Sequence, residues 1–524
     1  MKIKPKGGVN LRLHAHDVSK NQFILMQNVD MTHDEHYTQI FGSIKYHGTN
    51  IGSAAATHIG VCYNNDLLSA DVLACVDDRI LKKKQGANEF DTANPLITGL
   101  TTNAIQGSVN IQNKQYFAHP VDGIYEYDGA SIVTKVNDIL LKDIIISKET
   151  NRCFGPRADI PNAYNWTDDL ATIGGVPNTW NPLNTDIVPT TDGDSIEKML
   201  FLRGRLVFFM TNSIWIEYVN GAPTNWRYEK IATSVGLIAP KTAKQVGSEI
   251  WFLGHSPSVG TGIYAFDGNS VKLLSYDVEP ILLRINPSRI QNACAEYVDN
   301  RYKLSFALDG AIENDTTLHI DTINTNTETE FPCIYGPHTY GFNASAILNS
   351  TRFSGEHIWS AVFGGASWIF KTDNIMTQHA VSASTPGDLI PTVLITPIYH
   401  TEKGKEGEYD ETWMKRYEKI YNIFPSQNYG SCTIDLLRGF LNEVYANYQQ
   451  YMDGQNYSLG GLNLNSNALN FEDLTISPKL QDILSNAIQF KVTNYDRDKK
   501  FVFDSVTYDF RPVRRIKEVG RVHI

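Results

Sequence analysis

A short pattern that occurs twice constrains the fold of this chain more than any other feature. Gly262–Val271 reads Gly-Ile-Tyr-Ala-Phe-Asp-Gly-Asn-Ser-Val, and Gly123–Ile132 reads Gly-Ile-Tyr-Glu-Tyr-Asp-Gly-Ala-Ser-Ile. In both copies an alternating strand runs into an Asp-Gly pair and a second apolar strand follows, which is the strongest short-range signal for a β-hairpin. Similar strands precede the two copies, at Gln115–Ala118 and Ile250–Leu253. The sequence therefore predicts a repeated strand–loop–strand–turn–strand unit.

Weaker copies of this unit occupy the intervals. The central strands of the copies lie near Leu73, Tyr116, Val207, Trp251, Tyr302 and Trp359. Most steps between them are about 40 to 55 residues, and a four-stranded propeller blade takes roughly 40 to 50. We therefore expect an all-β protein with a β-propeller of about five to seven blades. An irregular β-sandwich chain with similar hairpins is the alternative.

Changes in composition divide the chain into three predicted parts. Residues 1–50 are polar and predict an N-terminal arm, residues 51–390 carry the propeller hairpins, and residues 391–524 predict a second, β-sandwich-like domain with a basic tail. Within the propeller, residues 139–195 contain repeated prolines and many Asn, Asp and Thr residues. That composition predicts a loop-rich insertion. Helix is expected only at Leu436–Met452 and Pro478–Ala487.

Charge and cysteine content exclude several classes of protein. The formal net charge of −11 argues against a protein that grips nucleic-acid phosphates, because such proteins concentrate Lys and Arg. No apolar run approaches the roughly 18 to 20 residues that span a bilayer, so membrane insertion is not expected. The 6 cysteines form no Cys-x-x-Cys pair. They are expected to be reduced, buried thiols rather than a disulfide framework or a zinc site.

The sequence offers no pattern typical of a catalytic or metal site. Phosphate-binding loops and nucleophile elbows are absent. His14-x-His16 and His33-x-x-His36 lack partners at ligand spacing and are interpreted as surface residues. Carboxylates that act as a pair from separate blades cannot be recognised by spacing. We therefore expect a protein that is not an enzyme and that needs neither a cofactor nor a metal.

Two groups of residues are candidates for binding. Basic side chains crowd the C-terminal stretch of an otherwise acidic chain, and they predict a tail that docks on a neighbouring subunit; a phosphate contact and a solvated terminus are the alternatives. The basic residues are Arg511, Arg514, Arg515, Lys517 and Arg521. In the proline-rich stretch, Trp166 and Trp180 are the aromatic residues that an exposed recognition loop would present.

Several stretches carry a resemblance to a known family. The better matched ones are Ser213–Tyr218, Ala222–Ile231, Val235–Thr242, Glu249–Gly254 and Gly262–Gly268, and the N-terminal ones are Gly7–Asn10, Gln22–Phe23 and Gln27–Asp30. Together they resemble the β-propeller tail hub or nozzle proteins, also called stabilization proteins, of short-tailed bacteriophages. The loop Gly254–Gly262 is longer than expected for that family, and the C-terminal domain matches it poorly.

The resemblance implies a structural component of a phage virion tail that is assembled in the host cytoplasm and forms part of the channel for genome retention and ejection. The partners it implies are a homo-oligomeric ring, of which a hexamer is one form, and neighbouring tail or neck proteins such as an adaptor ring and tail fibres. Double-stranded DNA would pass without specific binding, which an acidic wall favours. The alternatives are a tail-associated receptor- or glycan-binding propeller and a polysaccharide-cleaving enzyme, which would need two carboxylates about 5 to 10 Å apart in one pocket.

Overall fold

The structure, a computed structural model, describes residues 2–515 with gaps at 16, 33–34, 65–68, 85, 102–103, 131–132, 191–192, 232, 351–352, 374–377, 381–387, 400–412, 425–429, 439–442, 453–455, 460–461, 466–473, 477–482, 486 and 495–501. In part of the chain after residue 352 only the backbone is described. The chain divides into two compact units. The propeller unit contains Ile44–Thr317 and Tyr340–Thr372, and the second unit contains Met1–Ser43, Leu318–Thr339 and Asp373–Ile524.

Seven antiparallel sheets follow one another in the described residues of the propeller unit, and we number them as blades in chain order. Blade 1 contains His58–Asn64, Ser69–Val76 and Arg79–Lys83, and blade 2 contains Ser108–Ile111, Lys114–His119, Gly123–Tyr127 and Val133–Asn137. Blade 3 contains Ile145–Ser147, Arg152–Pro156, Ala163–Trp166 and Thr185–Ile187. Blade 4 contains Ile196–Leu202, Arg205–Met210, Ile214–Tyr218 and Arg227–Lys230. Blade 5 contains Gly236–Leu237, Lys244–Val246, Glu249–Ser256, Gly260–Phe266 and Val271–Leu273. Blade 6 contains Cys294–Val298 and Arg301–Phe306, and blade 7 contains Ala344–Ser350, Phe353–Phe363 and Ala366–Asp373. The strand Thr316–Thr325 then carries the chain from blade 6 into the second unit.

Contacts between neighbouring blades close these sheets into a ring. Each blade contacts the next through its first strands, from His58–Asn64 in blade 1 to Ala344–Ser350 in blade 7. Ala344–Ser350 in turn contacts His58–Asn64. Consecutive meandering sheets joined in a closed circle are the architecture of a β-propeller. The predicted all-β propeller is therefore confirmed, with seven blades within the described residues.

Short helical turns lie within blades 4 and 5 and between blades 5 and 6. The described ones are the 3₁₀ turns Pro223–Asn225, Pro240–Thr242, Tyr276–Val278 and Ile290–Asn292 and the single α-helical turn Glu279–Leu282. No helix among the described residues has the length and apolarity needed to cross a membrane.

The repeated hairpins form as predicted because their side chains alternate between two buried faces. In blade 5, Phe252 packs against Phe209 of blade 4, while Trp251 on the opposite face packs against Tyr302 of blade 6. Both rings are buried, since a blade inside the ring has a neighbour on each side. The Asp-Gly turn that follows is held by Asp267, whose Oδ1 accepts hydrogen bonds from the backbone N–H groups of Asn269 and Ser270.

The segment that precedes blade 1 pairs with the last strand of blade 7. The N–H of Tyr46 donates to the carbonyl of Ile369, and the N–H of Ser367 donates to the carbonyl of Gly52. The His47 ring lies between these contacts. Its Nε2 accepts a hydrogen bond from the N–H of Ile369 at 2.9 Å, while its Nδ1 donates to the carbonyl of Thr49 at 2.6 Å. The two ends of the propeller sequence are thereby joined through a neutral imidazole.

Residues 139–195 are not an insertion, because they form blade 3. The prolines that predicted a loop avoid the strand centres: Pro156 ends the strand Arg152–Pro156, Pro161 lies in the following turn, and the others lie between or after strands. Proline is tolerated at such positions because no hydrogen bond of the sheet needs its missing N–H. The composition was therefore misleading, since this blade keeps its prolines in its long connections.

The second unit contains two five-stranded antiparallel sheets and smaller ones. The first large sheet contains Lys2–Ile3, Trp413–Phe424, Leu474–Ile476, Ile483–Ser485 and Ser505–Arg515; the second contains Leu25–Gln27, Thr392–Ile395, Gly430–Arg438, Glu443–Met452 and Ile488–Asn494. The remaining strands of this unit are Val29–Met31, Tyr37–Gln39, Pro332–His338, Gln378–Ala380, Asp388–Leu389, Asn456–Leu459, Leu462–Asn465 and Val502–Phe503. The strand Gly42–Lys45 crosses the boundary between the two units in the sequence. A second all-β unit is thus present, as the sequence predicts.

The N-terminal residues are part of this second unit rather than a separate arm. Lys2–Ile3 pairs with Ser505–Arg515, and Leu25–Gln27 pairs with Thr392–Ile395. These strands contain only two or three residues each, so their polar flanks dominate the local composition. The unit boundaries accordingly differ from the predicted 1–50, 51–390 and 391–524.

The helix predicted at Leu436–Met452 is wrong. Gly430–Arg438 and Glu443–Met452 are strands that pair with each other. Part of Pro478–Ala487 lies outside the described residues, and Ile483–Ser485 within it is a strand. The prediction of buried thiols is confirmed, because Cys62, Cys75, Cys153, Cys294, Cys333 and Cys432 are all buried and none of them forms a disulfide.

Candidate functional site in the central cavity

A cavity of about 220 Å³ lies where the inner ends of the blades converge. Every blade, or the segment leading into it, contributes to its wall. Its polar lining residues are Thr57, His58, Gln106, Ser108, Asp143, Lys198, Lys241, Lys244 and Ser345. Because the first strand of each blade faces the propeller axis, residues far apart in the sequence meet here. We call this space the central cavity.

Three lysines on blades 4 and 5 point into the central cavity, and they differ in their partners. Lys198 forms an ion pair with Asp143. The ammonium of Lys244 lies 2.9 Å from Oε2 of Glu296. Lys241 donates a hydrogen bond to the carbonyl of Thr57 at 2.6 Å, and no carboxylate in the described part of the chain lies within ion-pairing distance of it. The positive charges of Lys198 and Lys244 are therefore each balanced by a carboxylate, whereas the charge of Lys241 is not balanced by one among the described residues.

The histidine of the cavity wall is held neutral. Burial lowers the pKa of His58 to about 3, and the nearby charges of Lys241, Lys198 and Lys244 contribute to the lowering. One ring nitrogen, Nε2, lies 2.7 Å from the hydroxyl of Ser108, which also accepts a hydrogen bond from the Gln115 side chain at 2.6 Å. His58 thus adds hydrogen-bonding capacity to the cavity without adding charge.

The same electrostatics act on the lysines. Burial lowers the pKa of Lys241, and the charges of Lys198 and Lys244 lower it further. Burial would lower the pKa of Lys244 as well, but the Glu296 carboxylate outweighs that effect and raises it. A buried charge is costly without a partner. An anion placed beside Lys241 would supply that partner, so the arrangement suits a small anion such as phosphate, sulfate or a carboxylate.

The two tryptophans predicted for an exposed recognition loop are buried, so that prediction is wrong. Trp166 ends a strand of blade 3 and packs against Tyr164 and Trp226. Trp180 lies in the loop between two strands of the same blade, and its Nε1 donates to the carbonyl of Pro177. Only 7% of Trp166 and 3% of Trp180 is exposed. Both rings fill the core because the stretch around them is a blade.

The basic residues predicted for subunit docking lie partly in a strand. The backbones of Arg511, Arg514 and Arg515 belong to Ser505–Arg515 and pair with Arg416, Met414 and Trp413 of the strand Trp413–Phe424. Lys517 and Arg521 lie outside the described residues. The free tail that the sequence predicts therefore begins no earlier than residue 516, and its docking role stays a prediction.

Sequence reasoning missed the central cavity and one further cluster. Asp30, His319 and His338 of the second unit place their metal-binding atoms within 4.8 Å of one another. The histidine pairs considered from the sequence are not part of it: His36 lies beside Asp504, and His16 and His33 lie outside the described residues. Neither the cavity lysines nor this cluster has a spacing signal, since their members meet only through the sheets. Contacts predicted from an alignment of related sequences could have found them.

Comparisons with known proteins identify no family. No protein-family model and no curated protein matches the sequence. Among solved structures, an ancestral GH74 enzyme is similar at 9% identity and a TM-score of 0.40, with 66% of this chain and 53% of that chain covered. YCF48 bound to D1 peptide is similar at 9% identity and a TM-score of 0.37, with 69% and 100% covered.

A chain of the mitotic checkpoint complex is similar at 7% identity and a TM-score of 0.37, with 63% of this chain and 96% of that chain covered. This chain spans about half the length of the GH74 enzyme. At these identities and TM-scores the likenesses assign no function. The propeller itself is established by the sheet order and the ring closure described above.

Proposed function

We propose that this protein is a structural component of a bacteriophage tail, in which several copies form a hub or nozzle ring around the channel for the genome. The observation that carries the proposal is the resemblance to the tail hub or nozzle family over residues 213–268. These residues form the outer strands of blade 4 and most of blade 5. The resemblance therefore covers parts of two adjoining structural repeats.

The central cavity is too small to be the genome conduit itself. A cavity of about 220 Å³ has room for a handful of water molecules or one small ion, because a water molecule occupies about 30 Å³ in the liquid. A nucleic-acid duplex cannot enter such a space. If the protein encloses a genome channel, that channel must lie between copies, and the formal net charge of −11 gives such a wall the sign that repels phosphates.

The oligomeric state of the purified full chain tests this proposal. We expect mass photometry to show a closed oligomer and negative-stain images to show rings with an open centre. We also expect no tight, salt-sensitive binding of duplex DNA, since such binding would retain the genome. A chain that stays monomeric at micromolar concentration, alone and with the other tail proteins of its phage, would contradict the proposal.

A polysaccharide-cleaving enzyme fits the central cavity less well. Glycoside hydrolysis needs one carboxylic acid as proton donor and a second carboxylate as base or nucleophile. Among the described residues, Asp143 is the carboxylate that lines this cavity, and it already has the ammonium group of Lys198 as its partner. Glu296, outside the lining, has that of Lys244. Turnover of a bacterial polysaccharide that is abolished by Asp143→Asn or Glu296→Gln would favour the enzyme instead.

We also propose that the central cavity binds a small anion, because Lys241 has no carboxylate partner there. Thermal unfolding in phosphate tests this second role. At constant ionic strength, phosphate should raise the melting temperature of the wild type and of Lys230→Met, whose lysine is exposed. Lys241→Met should abolish the phosphate effect. An equal response of all three proteins would assign phosphate binding elsewhere and reject the role.

A further inference from the structure

Three strands of the second unit bring together one carboxylate and two imidazoles. Asp30 lies on Val29–Met31, His319 on Thr316–Thr325 and His338 at the end of Pro332–His338. Oδ2 of Asp30 is 2.7 Å from Nδ1 of His319, and Oδ1 is 3.3 Å from Nε2 of His338. The centroids of the two imidazole rings are 4.2 Å apart. All three side chains therefore face one small volume.

This cluster is buried and has the charge that metal binding requires. His338 is 0% and His319 3% exposed, whereas the Asp30 side chain keeps 20% of its surface accessible. The Asp30 carboxylate is the group of the cluster that can bring a negative charge to a bound cation, and a buried cation needs such a partner.

The Oδ1 atom of Asp30 is the oxygen of the cluster that could bind a metal ion. Oδ1 of Asp30 is buried and accepts no hydrogen bond within the described residues, although Nε2 of His338 lies at ion-pairing distance from it. Ligand atoms on one tetrahedral zinc ion are about 3.3 Å apart, given bonds of about 2.0 to 2.1 Å. The pair formed by His338 and Asp30 already has this separation. Nδ1 of His319 lies 2.7 Å from the other oxygen, Oδ2, so that contact would have to open for this nitrogen to bind the ion.

We propose that Asp30, His319 and His338 form a binding site for a divalent transition-metal ion, with zinc as the best match. Two imidazole nitrogens and one carboxylate oxygen are a borderline donor set that suits zinc and other late first-row ions better than calcium or magnesium. A water molecule or another ligand would complete the fourth position. This site is independent of the proposed tail function and of the central cavity.

A bound ion would cross-link parts of the chain that are far apart in the sequence. It would tie the strand at Asp30 to the hairpin that carries His319 and His338, which follow almost 300 residues later, and closing so long a loop in the unfolded chain is entropically costly. Metal binding to the folded state alone stabilises that state by mass action. The expected consequence is an N-terminal segment that is held more firmly in the second unit when the ion is bound.

The experiment uses the untagged full chain, stripped with a chelator and titrated with zinc. We expect one zinc per chain by calorimetry and elemental analysis, and a melting temperature at least about 5 °C higher with saturating zinc than without. Asp30→Asn and His338→Gln should lose both effects. His14→Gln is the matched control, because it removes an exposed histidine of the same unit and should bind zinc like the wild type.

Zinc-edge X-ray absorption of the wild type gives a test that does not depend on the folding of the variants. A nitrogen and oxygen shell at about 2.0 to 2.1 Å with imidazole scattering is expected, whereas a sulfur shell near 2.3 Å would place the ion on cysteine and overturn the proposal. Failure to take up zinc, or uptake that Asp30→Asn leaves unchanged, would equally reject it. The cluster would then be a hydrogen-bonded group of charges only.

Discussion

The carboxylate of Glu217 in blade 4 accepts a hydrogen bond from the hydroxyl of Tyr164 in blade 3 at 2.7 Å. The side chain is 0% exposed, and its second oxygen has no partner within the described residues. Burial raises the pKa of Glu217 to about 7, against a smaller lowering by the Tyr164 hydrogen bond. An acidic group that prefers its neutral form thus lies in the contact between two blades.

This carboxylate should make the propeller less stable as the pH rises. Because its pKa is about 7 when folded and about 4.5 when unfolded, its contribution is complete below pH 4.5 and is lost as the pH rises through 7. The loss should reach about 3 kcal/mol in the free energy of unfolding. In urea unfolding at pH 5 to 8, the free energy of unfolding of the wild type minus that of Glu217→Gln should show this slope, whereas the difference between the wild type and the exposed control Glu229→Gln should not change with pH. A parallel slope in Glu217→Gln would contradict the assignment.

His47 should produce the opposite pH dependence at the closure of the ring. Burial lowers the pKa of His47 to about 4, against a smaller raising effect of its hydrogen bond to Thr49. Its contribution is therefore complete above pH 6.5 and is lost as the pH falls towards 4, because protonation removes the acceptor for the Ile369 N–H. Between pH 6.5 and 5 the free energy of unfolding of the wild type minus that of His47→Gln should fall by up to about 1.4 kcal/mol per pH unit. His14→Gln, which changes an exposed histidine, should behave like the wild type.

Truncation of the blade 5 core should be strongly destabilising. Phe252 is 0% and Trp251 5% exposed, and each packs against a neighbouring blade. Phe252→Ala and Trp251→Ala should each lower the free energy of unfolding by about 3 to 5 kcal/mol. Tyr218→Ala, at a residue that is 43% exposed, should cost less than about 1 kcal/mol. Chemical denaturation measures all three, and similar values for Phe252→Ala and Tyr218→Ala would refute the blade assignment.

Two C-terminal truncations should separate folding from docking. Removal of residues 511–524 takes away the backbone that pairs with Trp413, Met414 and Arg416, so the second unit should unfold at a lower temperature. Removal of residues 516–524 leaves that pairing in place and should preserve the melting temperature. If Lys517 and Arg521 dock on a neighbouring subunit, the shorter deletion should still impair ring or particle assembly. Normal assembly by that variant would exclude a docking role for these two residues.

The features that could be predicted from the sequence are those written in adjacent residues. Gly123–Ile132 and Gly262–Val271 encode their hairpins locally, through alternation and the Asp-Gly turn, so the propeller could be inferred from them. Lys2–Ile3 could not be recognised as a strand, because its partner Ser505–Arg515 lies at the other end of the chain. At Leu436–Met452, pairing between two strands overrides a pattern that also suits a helix.

The candidate sites were out of reach for the same reason. Lys241, Asp143 and His58 belong to different parts of the ring, and only the circular order of the blades brings them to one cavity. Trp166 was wrongly expected to be exposed, because it is an aromatic residue in a proline-rich stretch. That stretch folds as a blade, and the blade buries the Trp166 side chain. Local composition describes a segment, but it does not show what covers that segment.

The pairing of Lys2–Ile3 with Val506 and Thr507 also has a consequence for the order of events on the ribosome. The two partners are separated by about 500 residues of chain. At about 5 to 20 residues per second, Lys2–Ile3 must wait for about 25 to 100 s after its synthesis before this pairing can form. The propeller sequence is complete well before then. The nascent chain therefore carries an unsatisfied strand edge at Lys2–Ile3 until the partner strand has been made, and such an edge is a place that a chaperone would protect.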